Sequence, residues 1–442
     1  MFRLSFFGAS QEVTGSCFLL EDEEDKILID CGLFQCPKFC DEKSSAPFPF
    51  DPKQIRAVFV THAHVDHSGR LPKLFKDGFS GSIYSAVPTR ELAEIMLKDS
   101  VGVLAKEHKE PLYDETTVEG LMRLWIDKNY HENIQINKFS VSLYRAGHIL
   151  GSSMILVEHE DKRILFTGDL GNQNNPLLFG PEKTSDIDYL VMESTYGDRA
   201  HEDTAERRLK LERAIERSVL RGGVLMIPTF SLERTQEILL ELTGLLKNKQ
   251  IPQIPIFLDS PLAIKASKVY EKHASLLDRA SAMGESGFLH SPMVRFTATS
   301  EESKNINNIP PPKIIMAGSG MSTGGRILHH ERRYLSDQNS TILFIGYQAP
   351  GSLGRIIQDG ADEVTIFGDR LPVYCHKEAI DGYSAHPDKD GLYLFVQERA
   401  EKLKKVFAIH GEPKSLLAFT QHIRDYLGIE AYAPKYGETI DL

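Results

Sequence analysis

Residues 61–69 read THAHVDHSG, and four side chains able to hold a metal fall within positions 62–67: His62, His64, Asp66 and His67. The apolar run AVFVT leads directly into them and reads as a strand. In an extended strand end, residues two apart point to one side, so His62 and His64 share a direction. Asp66 and His67 follow as the chain turns, and face a neighbouring position. Imidazole nitrogens with carboxylate oxygens suit zinc, with manganese or iron as alternatives. A lone loop histidine is usually an ordinary surface residue; four potential ligands at this spacing point to a metal.

One segment cannot saturate two metals, so the remaining ligands should sit at other strand ends. AGHILGSS carries His148 after FSVSLYR, RILFTGDLG carries Asp169, and VFAIHGEP carries His410. Each alone would more often be structural, since a strand-end Asp followed by Gly is commonly a turn. Their shared context raises them. Asp30, ending KILID, is expected behind the ligands, accepting a proton from a ligand histidine to fix its tautomer.

The 442 residues suggest two or three domains. Apolar residues are 41% and charged residues 26%, the balance of a globular protein. MFRLSFFGASQEVTG is wrong for a signal peptide, and no apolar run reaches the ~18 residues needed to span a bilayer. The expected location is cytoplasmic, with no membrane partner. A net charge of -11 argues mildly against broad nucleic-acid binding, but excludes neither a local basic groove nor a metal centre. The five cysteines include a cluster at Cys31, Cys36 and Cys40, read as free thiols near a loop because no second CxxC-type pair accompanies them.

Short strand-like runs fill residues 1–80, helical spacing dominates 88–130 (ELAEIMLKDSVGVLAKEHK, ETTVEGLMRLWIDKNY), and strands then return to YLVMEST. From about Glu202, helices alternate with the strands GVLMIPTF, IPIFLDSP, KIIMAGSG and STILFIGY, as in a parallel sheet flanked by helices. The expected division is an outer domain over 1–200 and 371–442, with an inserted domain over 201–370.

The motif HAHVDH, with His148, the Asp169 of TGD and Asp30, resembles the metallo-β-lactamase superfamily. That motif is specific for the fold and a dinuclear site, not for a substrate. Glu193 in VMESTYGDR, His386 in GYSAHPDKD and His410 in IHGEP resemble the extra motifs of the β-CASP nucleases. IPTFSLERTQEILLEL, LDSPLA, AGSGMSTGGRILHH and GYQAPGSLGR look like the β-CASP domain of bacterial members, so the resemblance covers essentially the whole chain. It implies an α/β fold: a metallo-β-lactamase αββα sandwich with an inserted β-CASP domain.

The resemblance also implies a metal-dependent ribonuclease acting on single-stranded RNA with two Zn2+ (Mn2+ or Fe as alternatives). One metal takes His62, His64 and His148, the other Asp66, His67 and His410, and Asp169 bridges. Such a pair yields a hydroxide near neutral pH and stabilises charge on phosphorus. His386 is then the general acid toward the departing 3′ oxygen, with Glu193 holding its imidazole and Asp66 counted among the catalytic residues. The glycine-rich AGSGMSTGG can present backbone N–H groups to phosphate. Ser319, Gly320, Ser322 and Arg326 are therefore candidate RNA-backbone contacts, and Arg355 is a weaker one. His329 and His330 read as helix residues.

The chain ends at ETIDL, which is expected to favour a minimal two-domain enzyme and endonucleolytic over processive 5′ exonucleolytic cutting. A homodimer is compatible with the sequence. Two competitors are a metallohydrolase of a small ester or thioester, which would not need Glu193, His386 or the insert, and a non-catalytic RNA-binding subunit, which would be expected to have lost ligands.

Overall fold

A computed structural model describes residues 2–35, 40–106, 111–173, 175–184, 186–278 and 291–442. The chain forms two compact units, Met1–Ala200 with His386–Leu442, and His201–Ala385.

The first unit is built on two seven-stranded sheets. One runs, in spatial order, Thr439–Asp441, Arg3–Phe6, Phe18–Glu21, Lys26–Ile29, Ile55–Phe59, Ser82–Ala86 and Trp125–Lys128. The other runs Glu430–Tyr432, Lys405–Ile409, Tyr189–Glu193, Lys162–Phe166, Ser153–His159, Phe139–Arg145 and Asn133–Ile136. Side-chain alternation explains how they pack. In Phe139–Arg145 the buried Phe139, Val141 and Leu143 enter the core between the sheets, and the residues between them do not. In Ser153–His159 both faces are apolar. Ile155 and Val157 join the inter-sheet core, while Met154 and Leu156 enter a second core under helices. A strand buried on both faces reads as a continuous apolar run, as SMILV does.

Phe6 meets Phe407 and Phe18 meets Phe166 across the sheets, at ring separations of 5.5 and 6.0 Å. The second core is closed by helices Lys389–Gln397 and Pro413–Leu427. They supply Leu392, Phe395 and Val396, and Leu416, Phe419 and Ile423, at helical spacing. Asp388 caps the first of these helices by accepting from the Gly391 N–H, and left-handed Gly428 ends the second. Helix Val87–Lys106 packs on Ser82–Ala86 and Trp125–Lys128 on the other sheet, completing the four layers.

The second unit holds a parallel six-stranded sheet in the order Val294–Phe296, Ile256–Leu258, Lys313–Ala317, Val224–Pro228, Thr341–Ile345 and His376–Ile380. Its core includes Met226, Phe257, Ile315, Ile342 and Phe344. A hairpin, Glu363–Ile366 with Asp369–Pro372, stands apart from that sheet.

Three expectations need correction. The return to the first unit falls at His386, not at 371, because His376–Ile380 is the edge strand of the second unit's sheet. The helical-looking ETTVEGLMRLWIDKNY is helix only over Glu115–Met122; Trp125–Lys128 pairs with Ser82–Ala86, since its Trp and Ile satisfy a sheet edge as well as a helix face. Cys17, Cys31 and Cys375 are free thiols, but Cys40 is disulfide-bonded, because proximity decides pairing and a sequence-wide compartment rule does not. Cys36 lies outside the described residues. Among the described residues, no helix is long and apolar enough to cross a membrane.

Candidate metal centre

The side chains of the centre are delivered by the ends of strands in the first unit. Strand Ile55–Phe59 leads to His62; His64 then caps the short helix Val65–Ser68, which carries Asp66 and His67. His148 follows Phe139–Arg145 after left-handed Gly147, and the Ser152 hydroxyl accepts from its backbone N–H at 2.9 Å. Asp169 follows Lys162–Phe166 through Gly168, whose φ is 52°. A Cβ at Gly168 would stand 2.6 Å from Thr61 Cβ, so only glycine lets the two ligand loops approach this closely. His410 follows Lys405–Ile409 with its own N–H held by the Ala9 carbonyl at 2.8 Å.

These residues form two sets that share one carboxylate. His62 Nε2 and His148 Nε2 lie 3.0 and 3.3 Å from His64 Nδ1, and each is 3.5 Å from Asp169 Oδ2. Asp169 Oδ1 faces the other way, 3.2 Å from His67 Nε2 and 3.6 Å from His410 Nε2. Asp66 Oδ2 completes that set at 3.9 Å from His67 Nε2 and 3.4 Å from His410 Nε2. Ligand atoms at about 2.0–2.1 Å from a tetrahedral zinc stand roughly 3.3–3.4 Å apart, which matches most of these edges. Asp169 Oδ1 is buried and close to His67 without making a hydrogen bond. A buried carboxylate oxygen facing the Nε2 atoms of His67 and His410 has the donor chemistry to hold a cation. The residues therefore fit two metals, with Asp169 between them.

Charge follows the same division. Burial, then the neighbouring His67, pushes His62 well below its ordinary pKa; burial and His386 do the same for His148, and burial lowers His64. These three imidazoles are neutral, as ligation requires. In the other set burial opposes charge on His67 and His410, but the field of Asp169 outweighs it and raises both, helped by Asp30 at His67 and Asp66 at His410. That set is anionic and draws positive charge, which a metal would supply instead of protons.

Behind the ligands, Asp30 is fully buried. It accepts from the Thr61 N–H and the Thr61 hydroxyl, and its Oδ2 lies 2.7 Å from His67 Nδ1. A proton on His67 Nδ1, shared with Asp30, leaves Nε2 as the nitrogen that could hold a metal. Thr195 Oγ1, 3.1 Å from His410 Nδ1, holds that ring, and Thr61 Oγ1 lies 3.1 Å from His62 Nδ1. Neither threonine stands out in the sequence; their only signal is adjacency, before HAHVDH and after MES.

His386 lies beside His148, with ring centroids 4.6 Å apart. Its Nδ1 is 2.9 and 3.0 Å from the two oxygens of Glu193. Glu193 is fully buried, and also accepts from the Leu170 N–H and the Thr195 hydroxyl, each at 2.7 Å. Burial disfavours the charged His386, but Glu193, then Asp169 and Asp66, outweigh it and raise its pKa to about 9.

The other sequence candidates lie in the second unit. Ser319 Oγ accepts from the N–H groups of Thr323 and Gly324, closing the glycine-rich turn, and a Cβ at Gly320 would meet the Phe230 ring at 2.6 Å. Ser322 and Arg326 are corrections. Ser322 is buried and donates to Glu331, while Arg326 donates to Asp259 Oδ1 at 2.7 Å and to the carbonyls of Thr297 and Ala298. Both groups are spent on the unit's interior, because two buried carboxyl groups have to be satisfied: Glu331 takes Ser322, and the strand-end Asp259 takes Arg326. Asp259 is also bonded to Thr297, Ser303 and His330. Arg355 is more exposed and pairs with Asp359 at 2.8 Å. His329 and His330 lie in helix Ile327–Tyr334.

Two sheets with helices outside, and a carboxylate shared by two histidine-rich sets at their strand ends, define a metallo-β-lactamase-type metal centre. Comparison with known proteins carries this further. The family described as Metallo-beta-lactamase superfamily matches residues 11–223, the Beta-Casp domain matches 235–357, and the Zn-dependent metallo-hydrolase RNA specificity domain matches 370–434. The chain is 35% identical to Ribonuclease TTHA0252 of Thermus thermophilus, over 99% of both proteins. It is 32% identical to an RNase J-like protein of Methanocaldococcus jannaschii over the full length of both. It is 31% identical to the transcription termination factor FttA of Methanosarcina mazei, over 100% of this chain and 71% of that protein. A crystal structure of a protein of unknown function from Enterococcus faecalis shares the fold, with a TM-score of 0.58 at 14% identity and full coverage of both chains. The chain belongs to the metallo-β-lactamase superfamily, in its β-CASP family of RNA-processing nucleases.

Proposed function

We propose that this chain is a metal-dependent ribonuclease that hydrolyses internal phosphodiester bonds of single-stranded RNA, with two Zn2+ as the preferred ions and Mn2+ or Fe as alternatives. One observation carries the reading: ligand atoms of Asp169, Glu193 and His386 lie within 4.8 Å of one another, so a buried carboxylate with its partly exposed imidazole abuts the shared carboxylate of the metal sets. A small-ester hydrolase would leave that pair without a task. The name of the Thermus relative, a ribonuclease, supports the same substrate class.

Metals held by His62, His64 and His148, by Asp66, His67 and His410, and by Asp169 would supply Lewis acidity to the phosphoryl oxygens and an acidified water. The chain's own residues do the rest. Asp30 and Thr195 fix the faces that His67 and His410 present. With Nδ1 committed to Glu193, His386 carries its transferable proton on Nε2 and delivers it to the departing 3′ oxygen. Glu193 stabilises the imidazolium before transfer and keeps the ring in register after it. His386→Ala should retain metal and RNA binding and lose about 10²–10⁴-fold in cleavage rate. Cleavage of single-stranded RNA at the parent rate would remove His386 from the mechanism.

A further inference from the structure

A strip of aromatic rings borders the metal centre on the first unit. It runs Phe34, Tyr436, Phe7, Phe50, Phe48, with successive ring centroids 6.5, 6.4, 5.6 and 5.3 Å apart. Four separate pieces of chain build it: the end of the first strand, the loop after Lys26–Ile29 that carries Phe34, the PFPF stretch at 47–50, and the turn before the last strand. Both prolines of PFPF fix φ, so presenting Phe48 and Phe50 costs little backbone entropy. Phe34 is buried, while Phe7, Phe48 and Phe50 are half-buried and Tyr436 is 54% exposed. Apart from Phe34 these rings are incompletely buried, and none belongs to the two cores described above.

Cations back and flank the strip. Arg70 lies 4.6 Å from the Phe34 ring and 5.3 Å from Phe48, and Lys73 Nζ lies 4.4 Å from Phe48. Lys43 Nζ is 5.3 Å from Phe34 and, like Lys435, is exposed. The inner cations back the rings; of the outer ones, Lys43 is paired with Glu12 at 3.1 Å, and the exposed Lys435 stands beside Tyr436 in the chain.

The strip is continuous with the centre. Phe7 is two residues from Ala9, whose carbonyl holds the His410 N–H at 2.8 Å. Phe34 packs against Gly15, where a Cβ would stand 2.5 Å from its ring, and the next residue, Ser16, donates its N–H to the Asp66 carbonyl at 2.9 Å. A polymer leaving the Asp66–His410 side along this strip would find rings to stack on. We infer that Tyr436, Phe7 and Phe50 form a stacking platform for the bases of single-stranded RNA entering or leaving the centre. Stacking reads only the π-face of a base, so such a platform is sequence-tolerant and excludes paired bases. This inference rests on the ribonuclease reading for its ligand.

The test uses the full zinc-loaded chain with His386→Ala as background, so that RNA stays intact. The probes are fluorescein-labelled oligouridine and a ribose-phosphate oligomer of equal length without bases, titrated by anisotropy. Adding Tyr436→Ala should weaken oligouridine binding by about 5- to 150-fold, Tyr436→Phe should restore it, and the abasic oligomer should bind both forms alike. Unchanged oligouridine binding overturns the platform and leaves the ribonuclease reading standing. Equal losses for both probes also overturn it, by pointing to a backbone or folding role. No binding of either probe to the background protein overturns both readings together.

Discussion

Asp30→Asn tests the centre without relying on catalysis. The Asp30 carboxylate is fully buried and has three neighbours: the Thr61 N–H and hydroxyl, which donate to it, and His67 Nδ1, each at 2.7 Å. Asparagine keeps the shape but replaces one oxygen by an NH2 group. If that group faces the Thr61 amide, two donors oppose each other at a buried position, which costs about 1–3 kcal/mol. If it faces His67, it can donate to Nδ1 only when the ring proton moves to Nε2, the atom that must ligate. Either arrangement should act on the Asp66–His67–His410 set and spare the His62–His64–His148 set. Loss of such a partner behind a ligand typically lowers metal affinity by about 10–100-fold, or roughly 1.4–2.8 kcal/mol. Zinc titration against a competing chelator should therefore show one tight site and one weakened site. Two sites with parent affinities would refute the assignment of His67 Nε2 as a ligand.

Other substitutions separate the remaining roles. Asp169→Asn should release both metals, because one residue faces both sets; retention of two zinc ions by elemental analysis would contradict the bridge. Glu193→Gln should move the alkaline limb of the pH–rate profile downward. His386 must be protonated to donate, so activity falls as pH rises through its pKa; without the Glu193 charge that pKa drops from about 9 toward or below the ordinary imidazole value, and the loss at pH 8 should be about 30-fold and recover near pH 6. Gly168→Ala should destabilise the first unit by about 2–4 kcal/mol in urea unfolding, from left-handed strain and the clash with Thr61; an unchanged midpoint would show that the two loops can separate at little cost.

Much of this architecture is written locally. THAHVDHSG points to a metal because packing gives no reason for four potential ligands within six positions. His148, Asp169 and His410 are visible only as strand-end residues, and it takes the sheet order to bring them within ligand distance. Long-range partnership is what sequence hides. Thr61 and Thr195 look like ordinary strand-end threonines until their hydroxyls are found on Asp30, Glu193 and beside His410. Ser322 and Arg326 look like phosphate ligands because a glycine-rich turn surrounds them; the buried carboxylates of Glu331 and Asp259, which claim them, lie elsewhere in the sequence. Trp125–Lys128 reads as helix because a four-residue strand carries too few alternations to outweigh the helical run before it.

The central claim is that the metal sets and the Glu193–His386 pair together cut RNA internally. The direct measurement is incubation of the zinc-loaded protein with a single-stranded RNA carrying different labels at its two ends. The account predicts that both labels appear together on shortened fragments, that new 3′-hydroxyl and 5′-phosphate ends are formed, and that chelation abolishes the reaction. RNA that stays full length while a small ester is turned over, or loss of single nucleotides from one end alone, would contradict it.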